Sequence, residues 1–201
     1  MNLFSDGMLF SLFAGIALAA SVGFRVFLPL LVLSAFSYFF KDLITLSDDM
    51  LWLSNPTVVL IIALVAIAEI VSYYIPVLEN KLDKFKLFLS AIAGVVVIKA
   101  TLIGFTPVLS WIIALLVGVS VSVVVSYSLS LARKITVVTT HGVGNFLINS
   151  AEIVGALVLS ITAILISPLA FLVAVILITL MIKALMRIEK RTFDTYNQVS
   201  A

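Results

Sequence analysis

An all-α, polytopic membrane domain of about seven spans is the fold class this sequence predicts, and three observations predict it. Of the 201 residues, 63% are hydrophobic and 11% charged, with a mean hydropathy of +1.31, whereas soluble domains carry about 25% charged residues. The apolar residues form long runs punctuated at Asn55-Pro56, Thr106-Pro107 and Ser167-Pro168. The basic residues fall almost entirely in alternate connections between those runs. Only helices and closed barrels satisfy their own backbone in hydrocarbon, so each run reads as a helix and the whole chain, 1–201, as one transmembrane domain.

The first run, 8–40, is interrupted by Gly23-Phe24-Arg25 and by Pro29. Two full spans need about 40 residues, so three readings stand open: two short spans, a re-entrant hairpin with Arg25 at its tip, or one bent helix. The N-terminus lacks the basic stretch of a cleavable signal, and this first run is read as retained. Residues 41–55 form the longest polar loop, with Asp42, Asp48, Asp49 and an interfacial Trp52. A third span, 57–76, carries Glu69; a short charged loop, 76–86, follows; a fourth, 87–104, carries Lys99. The fifth, 108–132, repeats Gly118, Ser122, Ser126 and Ser130 every four residues, and Gly15, Ala19 and Gly23 do the same in the first. Such small-residue stripes let helices approach closely in lipid, so a homo-oligomer joined through them is expected. The sixth span is 144–166 and the seventh 169–186.

With seven spans, one face receives Arg25, Lys81, Lys84, Lys86, Arg133, Lys134, Arg187, Lys190 and Arg191, and the other only Lys41. Positive charge stays inside, which predicts a bacterial-type inner-membrane protein with its N-terminus outside and its C-terminus cytoplasmic. Leu12-Phe13-Ala14-Gly15-Ile16 resembles Leu115-Leu116-Val117-Gly118-Val119, and Leu31-Val32-Leu33-Ser34 resembles Leu157-Val158-Leu159-Ser160. An internal repeat of 8–76 and 108–190, joined by the span 87–104, would place two parallel halves about a central axis, with sites between them.

The chemistry concentrates on a few polar residues inside apolar runs. Asn145, Asn149 and Glu152 lie at i, i+4 and i+7, one stripe of a helix. At 1.5 Å per residue, Glu69, Glu152 and Lys99 lie roughly 10, 12 and 18 Å from their helix ends, in the middle depth of the bilayer. Ionisable groups there face a partner or water and mark function by default. Two carboxylates balanced by one lysine leave a negative charge for a proton, a cation or Arg25. The bland alternative is a network that fixes helix register. Arg25 itself is either a positive-inside residue at a hairpin end or, at a re-entrant tip, a partner for Glu152 or an anion. His141, beside Gly142 and Gly144, is either an anion contact at a helix N-terminus or a solvated loop residue. There is no cysteine and one histidine. Thiolate chemistry is excluded, no cofactor or nucleic-acid partner is indicated, and catalysis is not expected.

Three motifs carry a resemblance: Gly23-Phe24-Arg25-Val26-Phe27-Leu28-Pro29, Ala68-Glu69 with Tyr74-Ile75-Pro76, and Gly144-Asn145 with Ser150 and Glu152. Through them the chain is similar to a family of small bacterial inner-membrane proteins catalogued as a domain of unknown function. The resemblance implies a multi-span membrane protein and points to Arg25, Glu69, Asn145 and Glu152. In that family the asparagine is commonly followed by proline; here Phe146 stands there.

The functional expectation is a small transporter or channel for an ion, a proton or a small polar solute. Glu69 and Glu152 are its expected ion-binding carboxylates, Lys99 their counter-charge, and Asn145 and Asn149 neutral ligands. Two other classes compete. One is a non-transporting scaffold whose charges are sealed; the other is a protein that moves anionic lipid headgroups past Arg25, which a groove open to lipid would favour.

Overall fold

A computed structural model describes the backbone of residues 6–140 and 143–199 and the side chains of 7–75, 85–133 and 147–187. Every regular element among them is helical: α1 (Asp6–Phe24), α2 (Phe27–Phe39), a 3-10 helix (Asp48–Ser54), α3 (Pro56–Ser72), α4 (Pro76–Thr101), α5 (Pro107–Ile113), α6 (Val119–Thr140), α7 (Val143–Leu165) and α8 (Ser167–Val199). Prolines open α3, α4 and α5 at the first helical position, where a missing N–H costs nothing.

Four stretches are long and apolar enough to cross a membrane: Gly7–Phe24, Pro107–Arg133, Leu147–Leu165 and Ser167–Arg187. The 3-10 helix and α3 form a fifth if their 67° bend lies within one span. The chain is thus a helical membrane protein. α2, with 13 residues, is short for a crossing.

α1 is the axis of the bundle. It packs against α4, α6, α7 and α8, and Ala17, Leu18, Ala19, Ala20, Ser21 and Val22 are sealed from the surface. Both small-residue stripes are consumed here. Gly15 lies against Thr101 and Ile98, Gly23 against Val125, and Gly94 of α4 meets Gly118 so closely that a Cβ on Gly118 would stand 2.7 Å from the Gly94 carbonyl oxygen. Helices of the same chain fill the faces of Gly15/Ala19/Gly23 and Gly118/Ser122/Ser126. A π-helical turn, Ala114–Gly118, joins α5 to α6 beside that crossing.

After Arg25 the chain doubles back. Gly7, Met8, Ser11, Leu43, Thr45, Ile103 and Ser167 are among the residues that line one pocket of about 380 Å3, so the start of α1 and the segment after α2 lie at one end of the molecule. The single-bent-helix reading of 8–40 is excluded. The charged stretch 76–86, expected as a loop, is helical and opens α4, and α6 runs on to Thr140; lysine, arginine and glutamate sustain a helix once it has begun. α7 passes through Asn145 and Phe146 without a break.

Candidate functional site

The site is the elbow between α1 and α2. α2 begins without a side-chain cap from its own N-cap residue, Val26, and its first amides need acceptors. Glu69 of α3 supplies them: its carboxylate accepts the Val26 N–H at 2.8 Å and the Phe27 N–H at 2.9 Å. A buried anion thus sits on the positive end of α2, where the helix dipole and two charge-assisted bonds both favour it.

The residue just before, Arg25, has no exposed surface. Its Nη2 donates to the Asn149 backbone oxygen (3.3 Å) and side-chain oxygen (3.2 Å) and stands 3.5 Å from Oε2 of Glu152. Its guanidinium carbon stands over Tyr73, 3.9 Å from the ring centre, a position in which the ring face attracts the cation. Nε and Nη1 of Arg25 have no hydrogen-bond partner among the described residues. Asn149 completes the joint by donating from Nδ2 to the Tyr73 carbonyl at 2.8 Å, and Tyr74 and Ser150 hydroxyls meet at 3.2 Å.

Glu152 gathers two more cations. Arg133 of α6 is hydrogen-bonded to Oε1, and Nζ of Lys86 from α4 stands 3.6 Å from Oε2. Both also face Tyr73, at 4.9 and 5.7 Å from the ring centre. One carboxylate from α7 therefore ties together α4, α6 and the α1–α2 elbow. The three sequence motifs of the elbow, the end of α3 and the start of α7 converge at this one place.

Arg133 and Lys86 were expected only as positive-inside loop residues, yet both have a legible signal. Ser122, Ser126, Ser130 and Arg133 follow one helical face, as do Lys86, Ser90, Ala93, Val97 and Ala100, and every one of these is buried. Each basic residue stands at one end of a stripe of small residues that faces the core, Lys86 at its start and Arg133 at its finish.

Lys99 is the principal correction. It was expected to balance Glu69 and Glu152 but lies at the other end of the bundle, where Nζ donates to Asp49 Oδ2 at 2.7 Å. Asp49 is 54% exposed, and Nζ also faces the Trp111 ring at 5.5 Å. α4 carries Lys86 and Lys99 some 13 residues apart, about 20 Å at 1.5 Å per residue, so only one of them can reach Glu152. Ser47 fastens the same end by bonding the Lys99 and Ala100 carbonyls. His141 and the side chain of Asn145 lie outside the described residues.

Beside the elbow, a cleft of about 190 Å3 separates α3 from α4. Val26, Phe27, Val65, Ala68, Glu69, Ser72, Tyr73, Lys86 and Leu89 line it. Val65 of its lining is exposed, as are Phe85 and Phe88, the chain neighbours of Lys86 and Leu89 on α4. Most of its surface is apolar, and Lys86 belongs both to its lining and to the Glu152 cluster.

A bundle of apolar helices closed around a buried, charge-bearing elbow defines a class, that of helical membrane proteins with an ionic centre at one end. The particular family follows from comparison: the family described as Domain of unknown function (DUF4126) matches residues 12–187, and the chain belongs to it. No curated protein and no solved structure matches the chain.

Proposed function

We propose that this chain is a small inner-membrane carrier or channel for an ionic solute, and that its polar centre receives an anion. The reading draws on one observation above all: Arg25 is fully buried at the elbow while its Nε and Nη1 lack hydrogen-bond partners among the described residues. Leaving such donors unmet in a low-dielectric interior costs free energy that a bound anion would recover. The two carboxylates, by contrast, are poor candidates for a cation. Glu69 is engaged by two amides and Glu152 by three basic side chains. In this reading Glu152 is an internal stand-in for the anion, and the cation-rich end faces the cytoplasm, after seven passes with the N-terminus outside.

Purified protein in proteoliposomes, challenged with a panel of anions and cations, tests the reading. Replacing Glu152 by Gln removes the internal competitor, so anion flux or affinity is expected to rise, by roughly ten-fold if one charge-assisted contact is freed. Cation or proton flux that is present in wild type and lost in Glu152→Gln would restore the carboxylate as the ligand and overturn the anion reading. The scaffold alternative draws on how thoroughly Glu69 is satisfied, and it predicts no flux of any ion.

A further inference from the structure

The cleft between α3 and α4 adds a substrate class to this site. We infer that it admits the anionic phosphate headgroup of a membrane phospholipid from the side, with the acyl chains left in the bilayer. This rests on the anion reading above.

Three features carry it. First, the cleft is amphipathic in the sense a lipid requires. Val65, Ala68 and Leu89 contribute its apolar wall, whereas Lys86, Tyr73, Ser72 and Glu69 stand along its lining as polar groups. Second, the helix surface on either side of it is apolar and exposed. Leu64 and Val65 of α3 and Phe85 and Phe88 of α4 are exposed large apolar side chains on the two helices that frame it. A water-soluble anion would have to cross that surface to enter here, but a lipid already lies against it. Third, the cleft carries a cation in its lining. Lys86 lines it and approaches Glu152, which Arg25 and Arg133 also hold. Basic pockets between helices on the cytoplasmic side of a membrane recognise anionic headgroups in this manner. A volume of about 190 Å3 accommodates several waters, each with about 30 Å3 of liquid volume, and hence a phosphate group.

The chemistry shared by a lipid headgroup and free phosphate is a tetrahedral oxyanion, and the experiment separates the two sources. The full chain in detergent is offered phosphatidylglycerol, phosphatidylcholine or inorganic phosphate, and bound lipid and melting temperature are read by native mass spectrometry and thermal unfolding. Phosphatidylglycerol is expected to stay bound and raise the melting temperature, with inorganic phosphate unable to displace it. Lys86→Gln is expected to weaken retention by roughly ten-fold. Ala68→Trp, which fills the cleft from its apolar wall, is expected to weaken it likewise, while Leu60→Trp, on the same helix but outside the cleft, retains wild-type binding. Equal binding of phosphatidylglycerol by Ala68→Trp and wild type would overturn the inference. Protection by inorganic phosphate with no preference between the two lipids would also overturn it and leave the anion reading standing. Failure of both phosphatidylglycerol and phosphate to bind would remove both.

Discussion

Glu69 and Glu152 are one type of residue in two different employments, and their surroundings decide which. Glu69 meets two backbone donors, so its effect is local: it starts α2. Glutamine there retains one acceptor but turns an NH2 group toward the second amide, leaving a buried N–H without an acceptor. Glu69→Gln is expected to destabilise the protein by about 1–3 kcal/mol, measured by thermal or denaturant unfolding in detergent. Glu152 meets side chains from three other elements, so its effect is global. At this scale the sequence was informative about which residues matter. Arg25, Glu69, Asn149 and Glu152 do converge on one elbow. It was misleading about how they pair, because periodicity within a helix places a side chain on a face but says nothing of which helix comes to that face. Lys99 was assigned to the wrong carboxylates for that reason.

At the scale of elements, the small residues govern. Where α4 crosses the π-helical turn, Gly94 and Gly118 lie backbone to backbone, and any side chain at either position meets main-chain atoms. Such atoms cannot swing aside as the tip of a long side chain can. Gly118→Val is accordingly expected to cost about 1–3 kcal/mol through overpacking, read as a lower melting temperature, with Gly7→Ala as a neutral control because nothing lies within 4 Å of its added carbon. The serines of α6 illustrate a second economy. Ser122 and Ser128 each return their hydroxyl to the carbonyl four residues earlier, and Ser126 reaches the Gly23 carbonyl of α1, so small polar residues line helix contacts without needing water. The stripes themselves were legible in the sequence. Their destination was not, since a stripe fits equally well against a neighbouring helix of its own chain or of another.

For the whole molecule, the described side chains separate into two ends. One holds Asp49, Lys99 and the pocket lined by Gly7, Thr45, Ile103 and Ser167 among others; the other holds the elbow. The sequence contains no cysteine, so single cysteines report sidedness without background. Thr45→Cys and Ile103→Cys are expected to react with a membrane-impermeant maleimide from the periplasmic side, and Ile75→Cys only after the membrane is opened; the reverse pattern would invert the orientation. The helical character of the chain and the crowding of basic residues at alternate turns were plain from composition and spacing. The doubling back at Arg25 was one of three open readings, because 8–40 is too long for one helix and too short for two full crossings. That doubling back has a consequence for biogenesis. Arg25 leaves the ribosome early, whereas Asn149 and Glu152, which neutralise and orient it, are synthesised near the other terminus. Until they arrive the arginine has no native counter-charge, so the elbow reaches its final arrangement only once α7 has been made.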